Sequence, residues 1–152
     1  MKPMLPVVAA GLTLTLLAGC SAPGAYRTRA DLVSDPAACG ARRFEVYFDQ
    51  DQARLTTAAR EAISLTATQL QGCDVTKVQV LGLADARSGT AASNQSLSER
   101  RARSVAEALA GVGLPAPAFE VAAVGAEGAV VNGVNDPLRR RTEVVIEAQP
   151  RR

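Results

Sequence analysis

The stretch that most restricts what this chain can fold into runs from Val80 to Val105, V-L-G-L-A-D-A-R-S-G-T-A-A-S-N-Q-S-L-S-E-R-R-A-R-S-V. Its apolar start reads as the end of a strand, its Gly-containing middle as a polar loop, and its second half as the opening of an amphipathic helix. One acid, Asp85, stands at the strand exit, and a basic cluster stands in the first turns of the helix. If the loop folds back, Asp85 and Arg101 face a common cleft in which a small zwitterion can lie between them. The alternative is that the two groups pair with each other, an ion bridge tying loop to helix.

The flanking segments supply partners for this unit. From Arg43 to Asp49, Phe44, Val46 and Phe48 alternate with Arg43, Glu45, Tyr47 and Asp49, a strand with one apolar face. Thr56 or Thr57 can cap a helix reaching about Gln71, with Ala59, Ile63, Ala67 and Leu70 as its inward stripe and Gly72 as its stop. Val75 to Leu81 is a second strand. The spacing of Ser96 and Glu99 suits a capping box for a helix that ends at Ala110, before Gly111 and Gly113. Phe119 to Val124 gives a third strand, followed by a Gly- and Asn-rich loop. Asp136-Pro137 can begin one helical turn. Thr142 to Ile146 gives the last strand, and 149–152 a frayed tail. The order β-α-β-α-β-β implies an α/β two-layer sandwich, a mixed sheet with helices on one face.

Composition excludes several functions. Hydrophobic residues make up 47% and charged residues 21%, so most of the 152 residues should fold. The net charge of +2 gives no case for nucleic acid. With no His in the chain, His-based metal sites, Ser-His-Asp triads and Cys-His dyads are excluded, and no metal or cofactor is expected. The bases are mostly Arg, which suits two-toothed recognition of carboxylates.

Lys2 precedes an apolar run from Met4 to Ala18, right for a secretory signal and short for a membrane span. It ends in Leu17-Ala18-Gly19-Cys20, which resembles the bacterial lipobox, implying a signal peptide over 1–19 and lipid on Cys20. The acyl chains would anchor the protein firmly to a membrane. Ser21, rather than Asp, resembles the sorting pattern for the outer membrane, with the protein on its periplasmic side. Residues 20–38 read as the lipidated Cys and a flexible tether, its reach at most roughly 60 Å when extended. Cys39 and Cys73 each precede a strand and form either a structural disulfide, in an oxidising compartment, or two free thiols.

Four segments, in order, carry a resemblance: Val46-Tyr47-Phe48-Asp49-Gln50-Asp51 with Leu55; Gly82-Leu83-Ala84-Asp85; Asn94-Gln-Ser-Leu97-Ser98-Glu-Arg-Arg101-Ala102; and Arg140-Arg141-Thr142-Glu143-Val144. Together they resemble the OmpA-like domain family, which includes the peptidoglycan-associated lipoproteins, and cover nearly all of a domain placed at 39–148. The resemblance implies non-covalent binding of the diaminopimelate in the peptidoglycan stem peptide, with Asp85 taking the ammonium and Arg101 the carboxylate. It further implies Phe48 and Asp49 as pocket walls and Asn94 as a residue fixing the loop. Leu97, Arg101 and Val105 follow at i, i+4 spacing, which sets Arg101 beside the apolar stripe. Arg140 and Arg141 read as strand-edge charges, with Glu143 a structural partner for one of them.

The chain departs from the family pattern at Leu83 and Ala84, where a polar residue and a Thr are usual, and by one extra residue within 86–93. Three functions compete. The first is a lipid-anchored peptidoglycan binder linking outer membrane to wall. The second is an adaptor for envelope proteins whose site has degenerated. The third is a wall hydrolase using Asp49, Asp51 or Asp85, for which no positioned nucleophile is apparent.

Overall fold

The computed structural model describes residues 39–151; the expected signal peptide, Cys20 and the tether lie outside them. Four strands, β1 (Arg42–Tyr47), β2 (Cys73–Gly82), β3 (Phe119–Ala123) and β6 (Arg141–Pro150), form a mixed sheet in the order β1-β6-β2-β3. The central strand β6 runs antiparallel to both β1 and β2, while β2 and β3 are parallel and joined through the helix α2 (Ala91–Gly111). The helix α1 (Thr57–Gln69) connects β1 to β2. Two short strands, β4 (Val130–Val131) and β5 (Val134–Asn135), form a separate hairpin. This is the expected α/β sandwich with one added hairpin.

The core follows the apolar periodicities. Val46, Val78, Val80, Val144 and Ile146 bury one face of the sheet against Ala59, Ile63 and Leu70 of the α1 segment and Ala102, Val105 and Leu109 of α2. On the open face, Arg141 sits between Glu45, at 3.3 Å, and Glu143, at 2.6 Å. Thr56 caps α1 by accepting from the Ala59 amide. After Leu70 the chain turns at Gly72, whose positive φ of 86° favours glycine.

Three boundaries differ from expectation. The cap of α2 is Thr90, accepting from the Ser93 amide, so the helix starts more than a turn before the Ser96–Glu99 pair. Ser96 instead accepts from the Arg100 guanidinium, and Glu99 from the Gln95 amide group. The Gly- and Asn-rich loop holds the β4–β5 hairpin, turned at Asn132 and Gly133, both at positive φ. The last strand continues to Pro150, opposite Cys73, so Gln149 and Pro150 of the expected frayed tail belong to the sheet. The helical turn at Pro137–Arg139 is present, and the Asp136 carboxylate accepts from the Leu138 amide.

Cys39 and Cys73 are joined by a disulfide. With the two cysteines 34 positions apart in sequence, the crosslink limits the unfolded chain by an amount worth about 4 kcal/mol in the chain-entropy picture. It lies where β2 begins and β6 ends. The sheet's opposite end carries the exits of β1 and β2 and the entrance of β6, with Tyr47 opposite Arg141 and Gly82 opposite Thr142.

Candidate functional site

Backbone hydrogen bonds carry the sheet beyond its strands at that opposite end. Phe48 N–H donates to the Arg140 carbonyl at 2.9 Å, Leu83 N–H to the Arg141 carbonyl at 2.9 Å, and Ala84 N–H to the Gly125 carbonyl at 2.8 Å. These bonds hold the residues after β1 and β2 in fixed positions, as a recognition site requires. Leu83 and Ala84, the two apolar departures, are both buried. Asp85 therefore leaves β2 with its backbone held, and the Ala86 N–H donates to the Asn135 side-chain oxygen of the β5 strand at 2.8 Å.

Asp85 is fully buried, and its Oδ2 lies 3.3 Å from Nη1 of Arg140, a side chain 30% exposed. Arg140, expected as a strand-edge charge, is partly exposed and reaches inward to a buried acid. The physical reason is its position just before β6: the Phe48 amide bonds the Arg140 carbonyl, which sets Arg140 across from the buried Phe48.

Arg101 is also fully buried, and its guanidinium is committed to the backbone. Nε donates to the Gln52 carbonyl at 2.8 Å, Nη1 to the Leu83 carbonyl at 3.0 Å and Nη2 to the Asp49 carbonyl at 3.1 Å. Its carbon centre stands 5.1 Å from the centroid of the Phe48 ring, a cation–π contact. One side chain of α2 thus joins the turn after β1 to the exit of β2. Burial lowers the Arg101 pKa, the field of Asp85 raises it, and the field of Arg140 lowers it again. Asp51 and Arg100 act on it more weakly, so Asp85 and Arg140 are the strongest charged neighbours of Arg101.

The other expected site residues are nearby in different settings. Phe48 is buried beneath Arg101, while Asp49 is exposed and contributes its carbonyl to the Arg101 anchor. Asn94 is buried on α2 and donates from Nδ2 to the Gly89 carbonyl at 3.3 Å. Among the described residues, the buried side-chain polar atoms without a hydrogen-bond partner are Asn94 Oδ1, Arg139 Nε, Arg140 Nε and Thr142 Oγ1. Three of these four belong to the segment entering β6, beside Asp85. Buried polar atoms ordinarily have a protein or water partner, so this end of the sheet has hydrogen-bonding capacity that the described residues do not use.

The comparisons agree with this architecture. Residues 47–143 match the OmpA family, and the chain belongs to it. It is 34% identical over 114 residues to an outer membrane protein of Gluconacetobacter diazotrophicus, an alignment covering 70% of this chain and 30% of that protein. The chain spans between 30% and 42% of the length of the first curated relatives it matches. The peptidoglycan-associated lipoprotein of Burkholderia pseudomallei is similar in structure, with a TM-score of 0.58 and 26% identity over 68% of this chain and 89% of that one. An OmpA-like domain from Francisella tularensis has a TM-score of 0.60 and 24% identity, covering 72% of this chain and 73% of that one.

Proposed function

We propose that this chain binds peptidoglycan non-covalently at the outer membrane, taking the diaminopimelate of the stem peptide at the Asp85 end of the sheet. The ligand's ammonium belongs on Asp85, and its carboxylate on the cationic side built by Arg101 together with Arg140, with Phe48 and Asp49 as walls and Asn94 holding the loop. The observation that carries this reading is a fully buried carboxylate flanked by two guanidinium groups at the strand exits. Asp85 is paired with Arg140 in the structure, and a zwitterion offers an ammonium able to take that place together with a carboxylate for the arginines. Membership of the OmpA family and the likeness to a peptidoglycan-associated lipoprotein support it.

In this reading Cys20 carries lipid and residues 20–38 form the tether. Chain preceding Cys39 joins the domain at the disulfide end, so the site at the opposite end can face a wall while the tether faces a membrane. The buried Leu83 and Ala84 and the Arg140–Asp85 pair favour a second reading, an envelope adaptor with a closed site.

Full-length chain in detergent, mixed with purified diaminopimelate-type sacculi, decides between them. We expect wild type to co-sediment and Asp85→Asn to remain in the supernatant. Co-purification of one specific envelope protein, with wild type failing to sediment, establishes the adaptor instead.

A further inference from the structure

The two guanidinium groups beside Asp85 differ in freedom. Each nitrogen of Arg101 already donates to a backbone carbonyl, and the residue is wholly enclosed. Arg140 reaches solvent, makes a single-nitrogen contact of 3.3 Å with Asp85, and keeps a buried Nε without a partner. A guanidinium bound through one nitrogen has not used the forked geometry in which it binds carboxylates most strongly. Resting on the peptidoglycan-binding reading above, we infer that Arg140 is the residue that makes this site selective for zwitterions. It stands at the ammonium position of Asp85 and on ligand binding exchanges partners, yielding Asp85 to the incoming ammonium and turning its fork to the carboxylate of the same ligand.

The charge balance of this exchange explains the selectivity. A ligand with an ammonium alone can displace Arg140 only by leaving a partly buried guanidinium without an anion, a costly state. A ligand with ammonium and carboxylate on one carbon replaces both halves of the broken pair. Diaminopimelate presents that combination at the far end of its side chain, whereas a lysine side chain ends in an ammonium only. Arg140 therefore acts by contrast between ligands, rejecting simple amines more than it strengthens the preferred guest. The Arg140 backbone need not move, because its carbonyl stays bonded to the Phe48 amide while the side chain turns.

The test compares meso-diaminopimelate with 1,5-diaminopentane, which lacks carboxylates, as ligands for full-length wild type and Arg140→Gln in detergent. Binding is read by calorimetry and by the Asp85 side-chain carboxyl resonance. Wild type should prefer diaminopimelate, and Arg140→Gln should lower that preference about tenfold, as expected if the internal cation holds Asp85 nine-tenths of the time. Arg140→Lys keeps a cation next to Asp85 but has no fork, so its preference should fall in the same direction, which covers the case in which the Gln variant does not fold. An unchanged preference in a folded variant, with wild type binding diaminopimelate, overturns the role of Arg140 alone. Failure of wild type and both Arg140 variants to bind either compound, with wild type also failing on sacculi, overturns the peptidoglycan reading and this inference with it.

Discussion

Gly82 lies so close to α2 that a β-carbon placed on it would stand 2.0 Å from the Ser98 carbonyl oxygen and 2.9 Å from the Ser98 carbonyl carbon. This contact sets the spacing between the exit of β2 and the helix that carries Arg101. Both obstructing atoms belong to the backbone, so no side-chain rotation relieves the clash. Gly82→Ala should destabilise the domain by about 3 kcal/mol, seen as a lower urea midpoint, and should weaken ligand binding by separating the two walls. A midpoint equal to wild type contradicts the close approach.

Arg101 is expected to behave first as a structural tie. Its three carbonyl partners come from two chain segments far apart in sequence, the turn holding Asp49 and Gln52 and the exit of β2 at Leu83. Arg101→Lys keeps the charge but cannot serve three carbonyls with a compact ammonium. The loss should be about 3 kcal/mol, with hydrogen exchange accelerating at the Gln52 and Leu83 segments. A purely ligand-contacting Arg101 would lose binding in the same variant with no change in thermal midpoint.

At the sheet edge, hydrogen bonds from Lys77 and then Gln79 hold the Glu120 carboxyl below its ordinary pKa. Because the folded value is the lower one, the contribution to stability is fully present above the unfolded carboxylate pKa near 4.3. It is lost as pH falls through the folded value. A carbon-detected NMR titration should place Glu120 lower in wild type than in Lys77→Met, and acid unfolding of the variant should lose this component. Coincident Glu120 titrations would mean that the Lys77 pair does not form in solution.

The parts of the fold legible in the sequence were those whose residues alternate between core and solvent. Val46 with Phe48, the Ala59–Ile63–Leu70 stripe and Val78 with Val80 each repeat with the period of their element, and each is buried as that period requires. The β4–β5 hairpin gave no such pattern, because Val130, Val131 and Val134 are all exposed; only its Asn132-Gly133 turn was there to read. The first turns of α2 were equally silent, since Ala91, Ala92 and Ser93 face solvent and Asn94 is the first buried residue of the helix.

The candidate site divides in the same way. Asp85 and Arg101 could be singled out from charge at a strand exit and a helix start, and the structure gathers both at one end of the sheet. What each one bonds to was not legible: the partners of Arg101 are backbone carbonyls, which every residue type supplies and no motif announces. The inward reach of Arg140 was not legible either, because it is set by a backbone bond to Phe48 just before β6 and hidden within a run of three arginines.

The Cys39–Cys73 bridge also defines a route for mechanical force. Tension arriving through the residues before Cys39 meets the crosslink before it meets β1, and part of it passes directly into Cys73, the first residue of β2. That strand lies between β6 and β3 and leads without a break to the segment bearing Asp85. A pull between the two poles is therefore borne along β2 by covalent bonds and by two flanking ladders loaded in shear, while the edge strand β1 is spared from being peeled away.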